Sequence, residues 1–208
     1  MLKLVLLLGL VFPLFASQTP AKLKKQNFYK RVVPAVNKVY AELDYRYKTL
    51  KTNIDNNNTK SSFVKKYMKK YSAKDYKELL RKVKPHPKSI AIAQAAVESG
   101  WGTSRFTKVA NNLFGVWSFN KNEPRVRALQ TRGEKKIFVK KYATLEDSIR
   151  DYYFVLATSR SFGEFRKLKM KTNDPYELVK KLDMYSEKRA EYGKELIRVI
   201  KFNKLYNY

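Results

Sequence analysis

The sequence has no cysteine and one histidine, His86. Without thiols there are no disulfides, no Cys-ligated zinc and no thiol nucleophile. A single imidazole excludes a multi-histidine metal site. A Ser–His–Asp triad would have to use His86, which lies between Pro85 and Pro87 with no nucleophile motif nearby. No metal and no cofactor are expected, and carboxylates are left as the candidates for acid–base work. Glycine and proline are also scarce, seven each in 208 residues. Few turn formers and long charged stretches favour a mainly α fold over a strand-rich sandwich.

Negative charge is scarce too. Eighteen acidic residues face 45 Lys and Arg, a formal net charge of +27. So basic a chain suits a polyanionic partner such as nucleic acid, anionic lipid or anionic cell wall; the alternative is a solvated lysine surface. The chain is 44% hydrophobic and 14% aromatic, enough for a folded core.

The N-terminus narrows that choice. Lys3 precedes an apolar run over residues 4–16, and Ala16-Ser17 offers small residues for cleavage. This is the layout of a secretory signal peptide over residues 1–17, directing export to the periplasm or cell envelope. The run is too short to span a bilayer comfortably. Phe15 is large for a cleavage site, so an uncleaved N-terminal membrane anchor is the alternative. Export makes nucleic acid a poor partner.

Residues 18–60 read as a basic N-terminal segment: a linker over 18–27, then a long helix over 28–52. Val32, Val36, Val39 and Leu43 repeat there at helical spacing. Pro34 suits only the first turn of such a helix. A second unit, residues 61–208, follows the polar break at 53–59. Ser61 or Ser62, then Ser72 or Asp75, can cap two short helices. Residues 84–87 (KPHP) form a stiff turn. A small β-hairpin is expected within 120–142, with Gly133 before KIFVKKY. Thr144 with Asp147 resembles a capping box. Asp174-Pro175 opens another helix, and Ser186 the last one.

The chemistry points to residues 89–117. From Ser89 to Val97 there is no charged residue, and apolar positions cover most of the helix, as in a buried helix. Its first charge after Lys88 is Glu98, followed by Gly100 and Gly102 as helix stops. The negative end of the helix dipole and desolvation beside Trp101 would both raise the carboxyl pKa. Such a carboxyl can hold a proton near neutral pH and donate it to a leaving oxygen; the alternative is a solvated glutamate ending a core helix. Next comes NNLFGVW, residues 111–117. Paired asparagines in a turn can bond sugar hydroxyls or amides, and Phe114, Trp117 and Phe119 can stack on sugar faces; the alternative is a turn followed by core aromatics.

QAAVESGWGTSRF followed by NNLFGVW resembles the glucosaminidase domain of glycoside hydrolase family 73, in its Bax-type bacterial branch. YATLEDSIRDYYFVL and YSEKRAEYGKELIRVIKFNKL extend the likeness. The resemblance implies a lysozyme-like helical domain with a small β-hairpin lobe across a cleft. It also implies cleavage of the β-1,4 bond between N-acetylglucosamine and N-acetylmuramic acid in peptidoglycan glycan strands. The motif glutamate maps onto Glu98, as general acid. Trp101, Asn112, Phe114, Gly115, Trp117, Tyr185 and Ser186 match positions that shape the sugar cleft. Many members carry a second glutamate in a Thr-x-Glu strand; here the region reads ALQTRGEKKIF. Glu134 is the nearest candidate, outside that motif, and Glu123 a poorer one. An inverting mechanism needs a base about 6.5–9.5 Å from the acid, whereas a route assisted by the sugar's N-acetyl group needs none. A lytic transglycosylase, a muramidase and a non-catalytic wall-binding protein are the competing functions.

Overall fold

The computed structural model describes residues 19–132 and 135–208. Residues 1–17, where a signal peptide is expected, and Glu134 lie outside the described residues.

One long helix organises the rest. α1 spans Pro20–Asp55, with Thr19 as its cap and Pro20 in its first turn. Residues 20–27 are therefore helix, not linker. A Thr-Pro start and the Ala/Lys/Gln composition satisfy the rules for a helix N-terminus. Lys25 ties these turns down: its ammonium bonds Asn203 at 2.8 Å and lies over the Trp101 and Phe202 rings. Pro34 sits deep inside α1, contrary to the first-turn expectation. An internal proline costs about 3 kcal/mol by removing one backbone bond. Here it faces solvent, while Val32, Ala35, Val36 and Val39 beside it are buried. Water can reach the carbonyl that loses its partner, and burial of the apolar face offsets the cost.

Two short helices follow: α2 (Ser62–Lys70), capped by Ser61, and α3 (Tyr76–Val83), capped by Asp75. α4 (Lys88–Glu98) is buried from Ser89 to Ala96. It packs against α1, α6 (Leu145–Thr158) and α9 (Ala190–Phe202) in one core with Phe28, Val36, Ile90, Ile92, Tyr152, Leu196 and Ile200. The packing has no seam at residue 60, because α1 supplies this core directly. α5 is Arg105–Ala110. Thr144 caps α6, its hydroxyl accepting from the Asp147 amide at 3.1 Å and donating to the Asp147 carboxylate at 2.8 Å. α7 is Gly163–Leu168 and α8 only Pro175–Leu178. The last helix opens at Ala190 rather than Ser186: residues 186–189 make a turn, and Arg189 at φ +51° blocks an earlier start.

The β-lobe is small. β1 (Arg125–Arg132) pairs antiparallel with β2 (Lys135–Lys140), with a register irregularity between Arg127 and Thr131. Residues 116–118 run beside β2 through a bridge from Trp117 to Val139. Among the described residues no helix is long and apolar enough to cross a membrane.

Candidate active site

Glu98 is the last residue of α4 and is half-buried. The turn behind it is built to stop the helix abruptly. Gly100, Trp101 and Gly102 all have left-handed backbone, at φ +55°, +61° and +77°. Two of the three are glycine, which tolerates this; Trp101 does not, at a cost of roughly 1–2 kcal/mol. The Ser99 hydroxyl holds the turn by accepting from the Gly102 amide at 2.7 Å.

The Glu98 carboxyl faces α9. The Tyr192 hydroxyl donates to its Oε1 at 2.7 Å. Burial raises the Glu98 pKa above the ordinary carboxylate value; the Tyr192 bond pulls it back, Glu195 pushes it up and Lys188 pulls it down. Lys188 and Glu195 pair with each other at 2.9 Å, so their influences largely cancel. The net direction is upward. The Trp101 ring packs edge-on against Phe28 and Tyr29 of α1.

A groove of about 600 Å³ lies between the helical part and the β-lobe. Phe114, Gly115, Trp117, Phe119, Glu123, Lys140 and Tyr185 line it. Tyr185 connects the groove to Glu98, because its ring stacks on Tyr192 at 5.6 Å and 6°. Trp117 and Phe119 are exposed, with rings 6.1 Å apart. Gly115, at φ +66°, has no atom within 4 Å of where a side chain would begin, so the chain exposes bare backbone to the groove.

The sequence-derived site residues divide accordingly. Phe114, Gly115, Trp117 and Tyr185 meet at the groove, with Glu98 joined to them through the stacked tyrosines. Phe114 is nearly buried and its ring lies flat on Tyr152 at 4.0 Å, so it backs the wall rather than offering a free face. Trp101 belongs to the packing between α1 and α9. Asn112 is buried and its amide is fully used: it bonds the Val116 and Lys140 carbonyls and the Val116 amide, all at 2.9–3.0 Å. It fastens the β-lobe to the helices instead of reaching toward sugar. Asn111, at φ +49°, ends α5 and bonds the Tyr142 and Ala143 carbonyls. Ser186 accepts from the Lys188 amide at 3.3 Å and lies outside the groove lining. Glu123 does line the groove, 4.0 Å from the Lys140 ammonium.

Sequence reasoning missed Tyr192, Gln94 and Tyr152. A signal existed for Tyr192: it shares the apolar stripe of α9 with Leu196 and Ile200, and a phenol buried on such a stripe must find a polar partner.

A helical domain with a carboxyl at the end of a buried helix, linked through stacked tyrosines to a groove walled by a small β-lobe, has the architecture of a lysozyme-like glycoside hydrolase. The chain belongs to the glucosaminidase family, described as mannosyl-glycoprotein endo-β-N-acetylglucosaminidase, which it matches over residues 73–205. It is 28% identical over 150 residues to protein bax of Escherichia coli K12, covering 67% of this chain and 53% of that protein, so it spans about half the length of that curated relative. Its fold is shared by the catalytic domain of the autolysin Auto from Listeria monocytogenes (TM-score 0.52, 21% identity, 95% of this chain and 98% of that one). A mutant peptidoglycan hydrolase from Sphingomonas sp. A1 shares it as well (TM-score 0.51, 18% identity, 88% and 96%).

Proposed function

We propose that this protein is an exported peptidoglycan hydrolase that cleaves the β-1,4 bond between N-acetylglucosamine and N-acetylmuramic acid, with Glu98 as general acid. The observation that carries the reading is the half-buried Glu98 carboxyl, raised in pKa and held at one oxygen by Tyr192. Family membership supports the sugar, and the names of the structural neighbours support the polymer. The +27 charge supports it too, since lactyl and peptide carboxylates make the wall a polyanion that concentrates a cationic enzyme.

In this reading Glu98 protonates the glycosidic oxygen as the bond from C1 of N-acetylglucosamine breaks. Trp117 and Phe119 offer faces for sugar rings. The positive charge developing at C1 is met either by water activated by a carboxylate or by the substrate's own acetamide. Glu134 and Glu123 are the candidate bases, and Glu123 stands in the groove lining beside Lys140. Residues 1–17 would direct export, or tether the enzyme if they are retained.

Digestion of purified sacculi with product masses tests this. Reducing N-acetylglucosamine ends are expected, and Glu98→Gln should lower the rate at least a hundredfold. Anhydro-muramyl ends or muramyl reducing ends would mean a different bond or reaction. A fully active Glu98→Gln would remove Glu98 from the chemistry.

A further inference from the structure

A line of polar side chains runs the length of α4 and ends on Glu98. It begins at His86, just before the helix, where Nε2 lies 2.9 Å from the Tyr152 hydroxyl. Tyr152 donates to Gln94 Oε1 at 2.6 Å, and Gln94 Nε2 donates to the Tyr192 hydroxyl at 2.9 Å. Tyr192 donates to Glu98 Oε1 at 2.7 Å. His86, Gln94, Tyr152 and Tyr192 are each no more than 1% exposed. Water cannot easily replace any partner there, and each hydroxyl has only one proton to give.

The bonds therefore have a direction, and Gln94 sets it. Its amide has one accepting end and one donating end. With the carbonyl toward Tyr152, the only Tyr152 proton is committed to Gln94. His86 must then be the donor at Nε2, so the neutral ring carries its proton there. Burial, and next the positive Lys169, hold the His86 pKa well below its ordinary value, which keeps that ring neutral. With the amide nitrogen toward Tyr192, that oxygen accepts and its proton points to Glu98. Every hydrogen bond thus leads toward the carboxyl.

The reverse arrangement is equally complete. A flipped Gln94 would accept from Tyr192 and donate to Tyr152, and Tyr152 would donate to His86, whose proton would move to Nδ1. Glu98 could then bond Tyr192 only by donating. Its proton would sit on Oε1 and point into the protein, useless to a leaving group.

We propose that His86, Tyr152 and Gln94 are positioning residues that keep Glu98 Oε1 an acceptor and so assign the catalytic proton to Oε2, the oxygen Tyr192 does not hold. This rests on Glu98 being the general acid. A purely structural role would need the four bonds to be satisfied but would be indifferent to their direction. The direction matters only to an acid that must present its proton outward.

The single histidine makes the direction measurable. In the full chain labelled with 15N-histidine, one ring gives one pair of nitrogen signals. The Nε2–H tautomer is expected at neutral pH, and the Nδ1–H tautomer would overturn the proposal. This reading uses the wild-type protein and does not depend on any variant folding. The second arm is Tyr152→Phe, which keeps the ring stacked on Phe114 but frees Gln94 to turn. With the Tyr192 bond weakened, the alkaline limb of the kcat/KM profile should move to higher pH, because that bond holds the carboxyl pKa down. Lys188, Glu195, Tyr185 and Tyr192, which also face or adjoin Glu98, are unchanged in this variant. A fall in kcat of about three- to tenfold with KM within twofold is expected. A folded Tyr152→Phe with wild-type kcat and an unmoved alkaline limb overturns the proposal. A fully active Glu98→Gln is a different result, and it defeats the acid assignment itself.

Discussion

The two ends of α4 each hold an ionisable side chain withdrawn from water, and only one of them is linked, through two stacked tyrosines, to the groove beside the β-lobe. Before the first turn, Lys84 and Lys169 cross: each ammonium bonds the other's backbone carbonyl, the Lys84 bond at 2.6 Å. Lys169 is 3% exposed, and its pKa is pushed down to about 7 by burial first, then by Arg166 and Lys84. After the last turn, Glu98 is half-buried with its pKa pushed up, again by burial first. The cause is the same at both ends and the consequence is not. Lys169 meets the Lys84 carbonyl, which accepts one of its protons, and has no contact with the groove beside the β-lobe. Glu98 meets a hydroxyl whose partner ring stacks on the groove wall. A perturbed pKa marks burial, and a link to a cleft is what makes such a group a candidate for chemistry.

The strongest break in that contrast is Tyr192→Phe. It deletes one oxygen and keeps the ring that stacks on Tyr185. A hydrogen bond to a charged or partly charged group is worth about 1.5–3 kcal/mol. A fall in kcat of roughly ten- to a hundredfold is therefore expected, with KM little changed. The hydroxyl lowers the Glu98 pKa, so its loss should also carry the alkaline limb of the pH–rate profile upward. Rates on solubilised glycan strands from pH 4 to 9 measure both. A profile that keeps its shape would reduce Tyr192 to packing.

At the other end the expected effect is on stability. Lys169 has a folded pKa near 7, against about 10.4 in an unfolded chain. Below pH 7 both states carry the proton, and the cost of burying the charge is at its largest. Between about 7 and 10.4 the unfolded state binds more protons than the folded state, so stability rises with pH. His86 adds a lower window. Its folded pKa is depressed too, so stability is lost as pH falls through about 6.5. Lys169→Met should flatten the upper slope and weaken the lower one without abolishing it, because burial alone still depresses the His86 pKa. Wild-type Tm should climb by several degrees from pH 7 to 9.5, about 4 °C or less per kcal/mol for a domain of this size, and the variant should climb less, on the slope that burial of Lys84 and Lys70 still supplies. Catalytic rate should hardly change. Equal slopes in the two proteins would mean that Lys169 keeps an ordinary pKa.

The same contrast explains what could be read from the sequence. The uncharged run from Ser89 to Val97 announces a buried helix because burial selects residues one at a time. Glu98 stands out as the first charge beyond it. The caps at Ser61, Asp75, Thr144 and Asp174 were legible because capping is local chemistry. Pairings between distant segments left little trace. Gln94 meets Tyr192 across 98 positions, and nothing near either residue marks the bond. Asn112 looked like a sugar ligand because an Asn-Asn turn can bond amides. Its real partners are backbone groups of β2 and its own loop. Trp101 follows Glu98 in sequence, but three left-handed residues turn its ring toward α1. The start of α1 was misplaced because a lysine-rich stretch reads as linker until Asn203, Trp101 and Phe202 give Lys25 a place to dock.

The smallest expected effect is at the far wall of the groove. Trp117 is 43% exposed and its backbone bridges to Val139, so its ring is offered to the groove while the strand pairing holds the residue itself. Losing one stacking face costs about 1 kcal/mol, close to fivefold in affinity. Trp117→Ala should raise KM about three- to tenfold and leave kcat within twofold, because the ring binds sugar equally before and during bond breaking. Tm should change little, since no buried contact is lost. Glu98 and Tyr192 substitutions act in the opposite sense, on kcat with KM spared. If Trp117→Ala lowered kcat instead, the aromatic wall would be shaping the reacting sugar as well as holding the strand, and the division between a helical side that does chemistry and a β-lobe that binds would fail.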